Sequence, residues 1–274
     1  MIEKRFRSVS RHLCACLLAL PASAYAADAL PAFAPIAVCD DENEWPPYSY
    51  YQRIDGRKTQ VLTGYAVSVL KEIFNRRGIE YKIDLIPWPR CMAVTVLGKE
   101  YGMVLNLSYN DDRARTFLFS RPYYSTTAYY YYSRKSYPNG LAIAGPQDIR
   151  KYRVCGVQGY NYEGYGMAPG QVDQGAKNFP ALISKMQLGR CALFMEKDEV
   201  MTGYAAIGKN YLADPDIGKA PIPGIKPNLF YFGISRRHPQ AEEIRAVIDE
   251  ELLHMEANGR LAELLRRAST AARK

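Results

Sequence analysis

NLSYNDDRARTFLFSRPYY, residues 106–124, is the stretch from which the fold can be read outward. The apolar run at 103–107 has the length of a buried strand and ends in a polar bend. Asn106 lies on that run, and the bend delivers Ser108, Asn110 and Arg113 close to its carboxyl end. Arg113 stands four residues before Phe117, which predicts a short helix with an apolar opposite face. In open α/β sheets, ligands collect outside the carboxyl ends of the strands. A guanidinium there can hold a planar carboxylate through two parallel hydrogen bonds. The same arginine could instead pair at the surface with Asp111 or Asp112.

The full chain has 274 residues, enough for one or two domains with a sizeable core. Hydrophobic residues make up 48% and charged residues 23%, an ordinary globular balance. The 22 tyrosines offer flat faces with hydrogen-bonding tips, which suit a ligand cleft or an interface, although cores use them too. Residues 1–26 read as a cleavable secretory signal: Lys4, Arg5, Arg7 and Arg11, a short apolar run, Pro21, then Ala24-Tyr25-Ala26. Removing them leaves 32 cations against 27 anions, a net charge of +5, which mildly favours anionic small molecules. No long Lys/Arg run marks a nucleic-acid partner. Four cysteines then remain, Cys39, Cys91, Cys155 and Cys191, and export allows their oxidation in any of three pairings. With no Cys-x-x-Cys and only His238 and His254 left, a zinc site is not expected, nor any other cofactor.

Along the chain, strands alternate with helices. A first strand at 36–40 opens into ENEWPPY at 42–48, whose two prolines forbid regular pairing and present Trp45 and Tyr48 from a stiff loop. Asp55-Gly56 marks a hairpin. Val67, Leu70 and Phe74, widened by Val69 and Ile73, form the stripe of a helix that ends near Gly78. A strand at 81–86 leads to Pro87-Trp88-Pro89-Arg90, where Trp88 and Arg90 reach a strand end, and then to a helix at 91–97. This succession implies a parallel sheet. AYYYYS at 128–133 and LFYFGIS at 229–235 are β-prone runs placed to cross between two lobes. Between them a second series begins with a strand at 153–157. It continues through QGYNYE at 158–163, where a helix is expected to start with its free N–H groups toward the cleft. Tyr160, Asn161 and Tyr162 are the side chains at that end. A helix at 179–188 and a strand at 191–196 follow, and a long amphipathic helix at 240–257 continues past Asn258-Gly259.

Taken together, these motifs resemble the bacterial extracellular solute-binding proteins of family 3. Asn110-Asp-Asp-Arg113 followed by Phe119-Ser-Arg-Pro-Tyr123 is similar to the family's T-x-x-R and F-S-x-P-Y, with Asn in place of Thr. Gly64-Tyr65 and its following residues resemble G-[FY]-x-x-D-[LV], with Ser68 in place of Asp. The loop at Pro46-Pro47, the turn at Gly159 and the closing Asn258-Gly259 helix match in order. The resemblance implies a two-lobed α/β fold of the type II periplasmic kind, each lobe a mainly parallel sheet flanked by helices and joined by two crossover strands. It implies lobes at 27–130 plus 229–274 and at 131–228, with hinges at 129–133 and 229–235. It also favours pairing Cys39 with Cys91 and Cys155 with Cys191, because a bridge across lobes would restrict hinge motion.

The resemblance assigns the ligand carboxylate to Arg113 and stacking to Trp45. Trp88, Asn106, Ser108, Tyr48, Tyr160, Asn161 and Tyr162 complete the expected binding set. The family's Asp at the end of the 191–196 strand, which holds an α-ammonium, aligns here with Lys197; Glu196 is the expected substitute, and the departure weakens an amino-acid ligand. The implied function is periplasmic capture of a small polar solute, bearing a carboxylate, by a monomer that delivers it to an ABC-type importer in the membrane. Two alternatives share the fold: an exported cyclohexadienyl-dehydratase-like enzyme with Glu196 as general acid, and a ligand-sensing partner of a membrane receptor. No histidine, Ser/His/Asp or metal constellation supports catalysis.

Overall fold

Strand β1 (Ile36–Asp41) is the buried axis of the first half of the molecule. The computed structural model describes residues 1–2 and 33–271, so the expected export signal lies outside the described residues except for its first two positions. After β1 come the hairpin β2 (Tyr50–Ile54) and β3 (Arg57–Thr63), α1 (Tyr65–Arg76), β4 (Tyr81–Ile86), α2 (Trp88–Leu97) and β5 (Met103–Ser108). A single turn, α3 (Asp111–Ala114), leads to β6 (Phe117–Phe119) and β7 (Tyr124–Thr126). Strands β4, β1 and β5 run parallel, and helices α1 and α2 cross between them. Helix α1 buries Val67, Leu70, Ile73 and Phe74 completely or nearly so, each worth about 1.5–3 kcal/mol of transfer free energy. It can start where it does because Gly64, at φ 117°, packs flat on Tyr48: a Cβ there would lie 2.3 Å from the Tyr48 carbonyl oxygen.

The second series runs β8 (Ala128–Ser133), α4 (Pro146–Ile149), β9 (Val154–Val157), β10 (Val172–Ala176), α5 (Phe179–Gln187), β11 (Leu193–Lys197), α6 (Asp198–Gly203) and β12 (Ile217–Pro221). The chain returns through β13 (Asn228–Ser235) and closes with α7 (Ala241–Ala257) and α8 (Arg260–Ala271). The first sheet has the order β4-β1-β5-β13-β6, with β7 also on β13; the second has β10-β9-β11-β8-β12. Each has a parallel core and an antiparallel flank. This is the two-lobed type II periplasmic fold that the sequence implies. The chain passes between sheets just before β8 and again between β12 and β13, so AYYYYS pairs inside the second sheet and β13 inside the first.

Two local expectations need correction. Phe117 does not share a helix with Arg113: α3 ends at Ala114, and Phe117 begins β6, paired with Ser235. No α-helix follows β9 either. Gly164, Gly166, Pro169 and Gly170 leave only a short 3-10 turn, Glu163–Tyr165, so no helix N-terminus faces the cleft there. The disulfides Cys39–Cys91 and Cys155–Cys191 both form, each with Cα atoms 5.8 Å apart. Each ties together elements packed on one sheet.

Candidate functional site

The carboxyl ends of β1, β5 and β11 meet at a cavity lined by Asp40, Asp41, Trp45, Trp88, Asn106, Ser108, Arg113, Tyr160, Asn161, Lys197 and Phe230. About 370 Å³ of space lies between its walls, open solvent at the mouth included. Its position follows from the topology, because parallel strands deliver their polar bends to one edge.

Arg113 is placed by α3. Asn110 caps that turn by accepting the Arg113 N–H at 2.9 Å, which sends the side chain back over β5. The residue is 9% exposed, and its guanidinium lies 5.7 Å over the Trp88 ring. One Nη donates to the Ser108 carbonyl at 3.0 Å and to Ser108 Oγ at 2.9 Å; the other reaches the Gly159 carbonyl at 3.4 Å. Neither Asp111 nor Asp112 pairs with it; Asp112 takes Arg115 instead. Among the described residues, no carboxylate lies within ion-pair distance of Arg113. Burial lowers its pKa to about 10, opposed by the field of Glu163.

Lys197 brings a second cation to the same space. It ends β11, is 5% exposed, and holds its ammonium 4.5 Å from the Tyr165 ring, 5.7 Å from Trp45 and 5.9 Å from Phe230. Glu196 does not line the cavity. Its Oε1 accepts the Lys197 N–H at 2.8 Å and lies 3.4 Å from Lys197 Nζ. Lys197 reaches the cavity wall and Glu196 stays behind it, their charged ends side by side. Burial lowers the ammonium's affinity for its proton and raises the Glu196 carboxyl; each charge partly offsets the effect on the other.

The acids of β1 occupy the floor. Asp40 accepts from Ser49 Oγ and Asn106 Nδ2, and burial pushes its carboxyl up to about 7. Asp41 takes the Asn43 N–H at 2.9 Å on one oxygen and the Tyr160 hydroxyl at 2.7 Å on the other; burial raises it as well.

Several bonds run from segments of the first sheet to segments of the second. Trp88 Nε1 donates to the Gly159 carbonyl at 2.9 Å, and Asn161 Nδ2 to Ser108 Oγ at 3.2 Å and to the Tyr109 carbonyl at 2.9 Å. Farther out, Asn110 Nδ2 donates to Glu163 Oε1 at 2.7 Å, and the Tyr204 hydroxyl to the Glu44 carbonyl at 2.7 Å.

The structure therefore brings together Trp45, Trp88, Asn106, Ser108, Arg113, Tyr160 and Asn161 of the expected set. It does not bring Tyr48, which is buried and stacked on Tyr124 at 4.0 Å, nor Tyr162, whose hydroxyl accepts the Val157 N–H at 2.7 Å. Arg90, equally at a strand end, is exposed beside Glu100. Asp40, Asp41 and Phe230 line the cavity without having been singled out. The acids had a sequence signal: two consecutive Asp at the carboxyl end of an apolar run. Phe230 had none, since nothing in LFYFGIS says which ring reaches the cleft.

The fold and this cavity define a bilobal solute-binding protein. The chain belongs to the bacterial extracellular solute-binding proteins, family 3, whose model matches residues 37–270. Among solved structures it is similar to the amino acid ABC transporter substrate-binding protein AbpA of Streptococcus pneumoniae bound to L-arginine. The two share 17% identity over 88% of this chain and 96% of that one, with a TM-score of 0.68. The arginine-, lysine-, histidine-binding protein ArtJ of Geobacillus stearothermophilus shares 16% identity over 85% and 94%, at TM-score 0.63. The ancestral amino acid-binding protein AncCDT-1, a precursor of cyclohexadienyl dehydratase, shares 14% over 85% and 94%, at 0.61. No curated protein matches the chain.

Proposed function

We propose that this protein captures a small carboxylate-bearing solute between its lobes and delivers it to an ABC-type importer, working as a monomer in the periplasm. The observation that carries this reading is Arg113. A guanidinium held out of water with only neutral oxygens for company is an unfavourable arrangement until an anion joins it. A ligand carboxylate supplies that anion in the geometry a guanidinium prefers. Trp45, Trp88 and Phe230 provide apolar walls, and the Tyr160 and Asn161 bonds hold the second lobe closed over the first. Family membership and the importer-associated neighbours support the transport role. The lobe boundaries we favour fall where the chain changes sheets, at Thr127 and between Pro221 and Asn228.

The test is a thermal-shift screen of amino acids, opines and organic acids, followed by calorimetry on each hit. A bound ligand raises the melting temperature. Removing one partner of a desolvated charge pair costs about 2–5 kcal/mol, so Arg113→Ala is expected to weaken binding roughly 30-fold or more. Wild-type affinity in that variant would remove Arg113 from the role.

One observation keeps a dehydratase reading alive. Asp40 faces the cavity with its carboxyl raised to about 7, a value suited to a general acid. Glu196, the acid expected from sequence, is not placed to act. Incubation with prephenate decides this: catalytic appearance of phenylpyruvate would displace the transport reading.

A further inference from the structure

Resting on the carboxylate role of Arg113, we infer that the ligand is a small acid with anionic groups at both ends and no α-ammonium, a dicarboxylate being the simplest case, with Lys197 receiving the second acid group. Lys197 Nζ carries three donors. Its nearest charged neighbour is Glu196 Oε1 at 3.4 Å, and its other close neighbours are the ring faces of Trp45, Tyr165 and Phe230. Arg113 faces the same cavity and repels it, one of the reasons its ammonium is less basic than usual. Two cations thus share one small space: Glu196 lies beside Lys197, and of the two other acids at the wall Asp41 is bonded to Asn43 and Tyr160 while burial raises the Asp40 carboxyl to about 7.

Most acceptors that line the cavity already hold a protein donor. Asp41 spends one oxygen on the Asn43 N–H and the other on the Tyr160 hydroxyl. Asp40 Oδ2 is held by Ser49 and Asn106. Asn106 Oδ1 takes the hydroxyls of Tyr124 at 2.8 Å and Tyr123 at 3.1 Å. Ser108 Oγ takes Arg113 and Asn161. An incoming α-ammonium would have to share acceptors that already hold protein donors, and would meet the like charges of Arg113 and Lys197. A second carboxylate would meet the Lys197 donors in a site walled by rings, where a charge-assisted bond is strongest.

Calorimetry on the mature protein with matched chains separates the possibilities: pentanoate, glutarate and glutamate, with the four-carbon set butanoate, succinate and aspartate beside them. Glutarate or succinate is expected to bind about tenfold to hundredfold tighter than its monoacid, as a second charge-assisted contact would give. It is also expected to bind at least tenfold tighter than the matching amino acid. Lys197→Met should erase the preference, so that diacid and monoacid bind within about threefold of each other, and Lys197→Arg should keep it. An amino acid that binds as tightly as its diacid overturns the inference, and the wild-type comparison alone decides this if a Lys197 variant fails to fold. Monoacid binding that is lost in Arg113→Ala while the diacid gains nothing overturns the inference but leaves the carboxylate reading intact. No binding by any acid overturns both.

Discussion

Arg113 and Lys197 are held by different devices, and the difference governs what each contributes. Arg113 is fixed by a capped turn and two bonds to Ser108, so its direction is set before any ligand arrives. Lys197 is fixed by a strand end and by rings. Beneath them Asp40 makes a prediction about pH. Burial, the largest influence, raises its carboxyl from 3.8 to about 7, with the neighbouring charge of Asp41 adding to the effect. Between those values the folded state holds a proton that the unfolded chain has released. The contribution of Asp40 to stability is therefore full below about pH 4, falls as pH rises toward 7, and is level above that. Thermal melts across that range should show a decline that becomes shallower in Asp40→Asn; equal slopes would mean Asp40 titrates normally. Arg113 was legible in sequence because a polar bend after a buried run is a visible event. The choice between Glu196 and Lys197 was not. All five residues of β11 are buried, so no polar/apolar alternation shows its phase, and a slip of one residue exchanges the two side chains.

At the level of elements, the backbones of α6 and of the loop after β1 approach each other closely. Gly203, at the end of α6, lies so near that loop that a Cβ would sit 2.5 Å from the Pro46 carbonyl oxygen and 2.9 Å from the Pro47 nitrogen. Its backbone is helical, at φ −62°, so a larger residue is tolerated by the helix itself and excluded only by the neighbour. Gly203→Val is expected to hold the lobes apart, lowering ligand affinity at least tenfold, about 1.4 kcal/mol. Small-angle scattering on the liganded variant should show a larger radius of gyration than wild type. Affinity within twofold of wild type would show that this contact does not gate closure. The helices and strands themselves were largely readable: the α1 stripe, the Asp55-Gly56 hairpin and the break at Asn258-Gly259 all follow from local chemistry. The segment after β9 was not, because a glycine after a strand usually announces a helix, and here the glycines that follow prevent one.

For the molecule as a whole, the two disulfides each tie elements of a single sheet and leave the connections between sheets unbridged. The sequence separations of 52 and 36 residues correspond to roughly 4 kcal/mol each in a chain-entropy estimate. Urea unfolding with reductant present should shift the midpoint down markedly, and an unchanged midpoint would show that the bridges do not stabilise the fold. The two-lobed architecture was legible because its motifs succeed one another in order over nearly the whole matched span. The chemistry of the cleft was less so, since it arises where β1, β5, β11 and β13 converge from distant parts of the chain.

The most direct test is a crystal structure of the protein with the tightest acid found by calorimetry. The account predicts a carboxylate within hydrogen-bonding distance of both Arg113 Nη atoms, enclosed between the two sheets with Trp45 and Trp88 against its carbon chain. A ligand bound elsewhere, or one seated in the cleft with Arg113 touching only Ser108 and Gly159, would contradict it.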